Sequence, residues 1–193
     1  MTRTLLAGVI GALMFAGSTQ AAAPSAEEIR AAVESEAQVW ASDAAVVESV
    51  KAQNTRTAAL SQADVDKLDK QWRAETKASD KPLIDETLAN PLSAYLKQVK
   101  KDGGGLYTEI FVMDSKGLNV GQSDVTSDYW QGDEAKWQKT FLAGAGTVHV
   151  GEVEFDESSQ TYQSQVSMPI VDPDTSTVIG AVTIGVDVGA LGQ

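Results

Sequence analysis

The sequence predicts an α+β fold: a central antiparallel sheet with a long amino-terminal helix and several short helices. Three observations predict it. Apolar residues recur at helical spacing through residues 24–104. Short runs of alternating apolar and polar residues dominate residues 105–193. No helical pattern separates the last of these runs, which favours antiparallel pairing over a doubly wound topology.

Residues 1–23 read as a signal peptide. Met1-Thr2-Arg3-Thr4 is short and basic, Leu5–Gly17 is apolar and uncharged, and small residues follow to Ala23. Thr19 and Ala21 fit cleavage after Ala21; Ala21 and Ala23 fit cleavage after Ala23. The apolar run is short for a membrane span, though a retained anchor is the alternative. The expected location is periplasmic or secreted, as a soluble domain once the leader is cleaved.

Residues 24–104 form the helical region. Ser25 with Glu28 makes a capping box, and Ile29, Val33, Ala37, Trp40, Ala44 and Val47 then form one stripe. The pattern predicts one helix from Ala26 to about Asn54. Its stripe can pack on the domain's own sheet or form a homodimer with a second copy. Ser61 and Asp64 open another helix with Val65, Leu68 and Trp72 on its apolar face. Lys81-Pro82 interrupts the pattern, and two short helices follow around Asn90-Pro91. Gly103-Gly104-Gly105 is a flexible joint. No Lys-Ser or Lys-Thr follows to complete a phosphate loop.

Residues 105–193 form the sheet region. Tyr107–Met113 is a strand, Asp114-Ser115-Lys116-Gly117 a turn, and Leu118–Gly121 the return. Asp128–Trp137 is a short helical insert holding two of the four tryptophans. Thr147–Phe155 is a strand with a bulge expected at Gly151, where the alternation changes phase. On the next strand Tyr162, Ser164, Val166, Met168 and Ile170 share one face, with Gln163, Gln165 and Ser167 opposite. A turn at Val171–Thr175 leads to Val178, Gly180, Val182, Ile184 and Val186 on the closing strand.

Ile110-Phe111-Val112-Met113-Asp114-Ser115-Lys116-Gly117, Asp128-Tyr129-Trp130, Gly132-Asp133, Met168-Pro169-Ile170 and Ile179-Gly180-Ala181-Val182 together carry a resemblance. The chain is similar to the extracytoplasmic Cache sensor domains, also called PAS-like or PDC domains. The resemblance covers the amino-terminal helix and Gly105–Leu191 best. It implies a PAS-like Cache fold whose pocket is closed by helix and loop residues. It also implies a small extracellular ligand such as an amino acid, carboxylate or amine. The chain ends at Gln193 just past the sheet, so the expectation is a binding domain without its own signalling output. A membrane receptor or kinase is then a candidate partner.

Seven residues are candidates for ligand contact. Tyr129, Trp130 and Trp137 offer aromatic faces, which cover apolar groups or attract cations. Their alternative role is core packing. Asp133 can accept from an amine and Lys136 can attract a carboxylate; alternatively both belong to a solvated helix face. Asp128 can instead cap the insert. Glu109 and His149 are strand-borne candidates, and a lone histidine also serves as a hydrogen-bonded structural residue.

Other chemistries are disfavoured. The chain has 27 acidic and 15 basic residues, a formal charge of −12, which repels nucleic acid and anionic membranes. It has no cysteine, hence no disulfide, thiolate or cysteine-ligated metal. Its single histidine has no second histidine for a common zinc site. The carboxylates show no hydrolase or EF-hand spacing, and no Gly-x-Ser-x-Gly elbow occurs. No enzyme activity, metal or cofactor is expected. The expected function is an exported sensor-like domain binding a compact amine- or carboxylate-bearing solute. The alternative is a periplasmic interaction or structural module without a small ligand.

Overall fold

The computed structural model describes residues 23–156 and 160–191. The predicted leader lies, but for Ala23, outside the described residues. No helix among the described residues is long and apolar enough to cross a membrane.

Helix α1 (Ala26–Ala41) opens on the expected capping box. Ser25 accepts from the Glu28 amide, and Glu28 accepts from the Ser25 amide at 2.7 Å. The predicted single helix to Asn54 is instead two. Ser42 turns its hydroxyl back to the Gln38 and Val39 carbonyls. Asp43 is extended and accepts from the Ala45 amide at 2.8 Å, starting α2 (Ala44–Thr57). The local cap outcompetes continuation of the helix. Ile29, Val33, Ala37 and Trp40 are buried in the protein's own core. Each fully buried aliphatic chain contributes about 1.5–3 kcal/mol, far more than helix propensity supplies.

Helix α3 (Gln62–Glu75) opens on the expected Ser61–Asp64 box. Helix α4 (Pro82–Ala89) has no side-chain cap of its own. Glu75 of α3 supplies one, accepting from the Leu83 and Ile84 amides at 2.9 and 3.0 Å. Asn90 caps α5 (Pro91–Asp102).

Strand β1 (Tyr107–Met113) returns through the turn as β2 (Asn119–Gln122). Gly117 holds the turn at φ +83°, a backbone angle that a side chain disfavours. The insert contributes one helical turn, α6 (Ala135–Gln138). The strand predicted over Thr147–Phe155 is split into β3 (His149–Val150) and β4 (Glu154–Asp156). Gly151 still donates to the Gln165 carbonyl at 2.8 Å, and pairing lapses beyond it. Strands β5 (Thr161–Val171) and β6 (Val178–Asp187) are the long central pair.

All pairings are antiparallel, in the order β2-β1-β6-β5-β3, with β4 also on β5. The architecture is α+β, a central antiparallel sheet with helices packed on one face. One sheet face carries Ile110, Val112, Val166, Met168, Val182, Ile184 and Val186 and packs against α1, α2 and α5. The opposite face holds the residues in alternate register: Glu109, Phe111, Gln163, Gln165, Ser167 and Thr183. Trp137 and Phe141 cover its Phe111–Met113 end. The Glu109–Gln163–Gln165 end of that face is half-buried, and there the recess lies.

Candidate functional site

The recess is polar because the sequence places amides and a carboxylate at alternate positions of neighbouring strands. Glu109 pairs with Gly185, and Gly185 pairs with Gln165 on its other side. A side chain on Gly185 would meet Gln163 Oε1 and Glu109, so its glycine brings three polar chains into one patch. Three adjoining cavities of about 440, 350 and 310 Å³ lie over this patch. Gln163 and Asp156 line all three. The volumes suit a small ligand rather than a macromolecule.

Glu109 accepts from Gln165 Nε2 at 2.8 Å, and Thr108 donates to Gln163 Oε1. Burial pushes the Glu109 carboxyl above its ordinary value, while the Gln165 hydrogen bond and the nearby Lys136 charge oppose the rise. Lys136 reaches the recess from α6. Its ammonium lies 2.8 Å from Glu134 and 5.4 Å from the Phe111 ring centre. At the opposite end Lys100 contacts Asp124 at 2.7 Å. His149 stands on the β3 wall, and burial together with Lys139 lowers its pKa, favouring the neutral ring.

The structure therefore brings Glu109, Lys136 and His149 to one recess. It places the remaining four candidates differently. Tyr129 is 7 % exposed and stacks on Trp72 at 5.2 Å, within a cluster with Val65, Ile84 and Leu118. Trp130 donates to the Lys116 carbonyl at 2.8 Å and lines a separate cavity of about 260 Å³ with Val65. Trp137 donates to the Asp114 carbonyl at 3.1 Å and stacks on Phe141 at 4.8 Å. It also borders the Trp130 cavity. Asp133 is exposed at the surface. Glu134, not Asp128, stands at the α6 amino terminus. Asp128 instead accepts from Arg73 at 2.9 Å and from Gln131 at 2.7 Å, and lines the recess.

Gln163 and Gln165 line the recess although neither is charged or aromatic. Their signal was present: two glutamines on the polar face of an otherwise apolar alternating strand. Among the described residues no group of three ligating side chains could hold a metal ion.

No family model matches the sequence, and no curated protein matches it significantly. Solved structures do. The chain is 18% identical to the sensor domain of the Vibrio cholerae histidine kinase DctB, covering 76% of this chain and 58% of that one, at a TM-score of 0.39. It is 13% identical to the ligand-binding domain of the Pseudomonas aeruginosa PAO1 amino acid chemoreceptor PctC, solved with GABA. That match covers 83% of this chain and 55% of the other, at a TM-score of 0.38. For the sensory domain of the Campylobacter jejuni chemoreceptor Tlp3 the identity is 11%, the coverage 84% and 65%, and the TM-score 0.40. The chain spans less than two thirds of the length of each.

Proposed function

We propose that this chain is an exported, non-catalytic sensor-type domain that binds a compact solute bearing an amine or a carboxylate. The observation that supports the reading is the recess itself. It sits on the sheet face that the long helices leave uncovered, and both a carboxylate and an ammonium reach it. A concave site with a few placed polar groups is where a small ligand is oriented.

Titration calorimetry of stripped protein against amino acids, amines and small carboxylates tests the reading. We expect saturable binding to at least one class, weakened at least tenfold by Gln165→Ala with the circular-dichroism spectrum unchanged. The alternative, an interaction module without a small ligand, draws on the exposed Phe155–Tyr162 pair, whose rings lie 5.3 Å apart. Silence across the whole panel would favour that alternative. The export part has its own test. Amino-terminal sequencing of envelope material should begin near Ala22 or Pro24, whereas an intact Met1 terminus in the cytosol would reject it.

A further inference from the structure

The proposed function leaves open whether the solute is recognised by its amine or its carboxylate. The charges around the recess are not balanced, and the imbalance is specific. Both lysines that line it are already in contact with a carboxylate: Lys136 with Glu134 at 2.8 Å, and Lys100 with Asp124 at 2.7 Å. Arg73, behind Asp128, is doubly engaged, at 2.7 Å to Asp69 and 2.9 Å to Asp128. An incoming carboxylate would have to displace one of these partners or share its cation. Glu109 is in the opposite position. Among the described residues it forms no ion pair, and its hydrogen-bond partner is the neutral Gln165 amide.

We infer that the recess selects a compact organic cation, with Glu109 as its counter-ion and the Gln163 and Gln165 amides as flanking hydrogen-bond groups. This rests on the reading of the recess as a solute site. An ammonium carries three donors and no acceptor. Glu109 supplies the opposite charge; the Gln165 amide oxygen is an acceptor in the same patch, and the Gln163 oxygen, which accepts from Thr108, keeps a second lone pair. The formal charge of −12 favours the same sign of ligand at long range. A metal cation fits less well, because no group of three ligating side chains occurs among the described residues.

Three four-carbon probes differ chiefly in their end groups: 1,4-diaminobutane, 4-aminobutyrate and succinate. Calorimetry with the full mature chain at low salt and neutral pH should rank them in that order. Glu109→Gln should weaken 1,4-diaminobutane binding at least tenfold, while Lys136→Met leaves it equal or tighter. The helical circular-dichroism signal and thermal midpoint of each variant establish that it is folded. Tightest binding of succinate, weakened by Lys136→Met, would overturn the inference and leave the solute-site reading standing. Diamine binding that is indifferent to Glu109→Gln would overturn the inference at this residue. Failure of all three probes, together with silence of the wider panel, would overturn both.

Discussion

A partly buried glutamate on a sheet face lowers stability when the cost of burying its charge outweighs the pull of the cations near it. Glu109 is such a group: its carboxyl is raised above the ordinary 4.5, chiefly by burial. The folded state then holds its proton to higher pH than the unfolded chain does. Stability contributed by this residue is therefore lost as pH rises from about the ordinary value through the raised one. Glu109→Gln should raise the melting temperature of ligand-free protein at neutral pH, and the gain should vanish in acid. Each pKa unit of the rise is worth about 1.4 kcal/mol, or roughly 3–6 °C in a domain of this size. A gain that persists unchanged in acid would contradict this account. Amine binding should weaken over the same window as Glu109 takes up its proton.

Trp130 gives a contrasting expectation. Its indole is fixed to the Lys116 carbonyl, away from the recess. Trp130→Ala should cost about 1–3 kcal/mol of stability and leave solute affinity within twofold. A large affinity loss without loss of stability would place the ligand in the Trp130 cavity.

At the scale of elements, helix starts were legible wherever the cap was local. Ser25–Glu28 and Ser61–Asp64 form the boxes their spacing predicts. The break at Ser42–Asp43 was not legible, because Ala44 and Val47 continue the apolar stripe across it. The Ser42 hydroxyl and the Asp43 cap interrupt the helix, and the cap acts within two residues. The cap of α4 was hidden for the opposite reason: its acceptor, the Glu75 carboxylate, belongs to another helix. Asp43→Ala should cost about 1 kcal/mol in urea unfolding, as ordinary caps do. Glu75→Ala should cost more, about 1.5–3 kcal/mol, because it removes a charged acceptor from one buried and one part-buried amide. Equal losses would mean that Glu75 does not hold α4 in place.

The candidate site was legible only in part for a similar reason. Glu109, Lys136 and His149 announce themselves as charged or titratable residues near strands. The recess they share depends on register, which places Gly185 between Glu109 and Gln165. Tyr129 lies beside Trp72, a pairing that no local spacing reveals.

At the scale of the whole molecule, one sheet face is filled and the other is partly open. The α1 stripe that could have joined two copies is buried within its own core. A dimer through that stripe would require α1 to leave the sheet, so sedimentation at tens of micromolar should show no association that depends on it. The acidic surface should act on the solute as well. Raising salt from about 0.05 to 0.5 M contracts the screening length from roughly 14 to 4 Å, and should weaken cation binding several-fold. The most direct test of the central claim is a nuclear magnetic resonance titration with the tightest-binding four-carbon probe. The account predicts saturable shifts of the Gln163 and Gln165 side-chain amides and the Lys136 backbone amide, with the Trp130 indole unmoved. Shifts confined to the Trp130 cavity or to the Phe155–Tyr162 edge would contradict it.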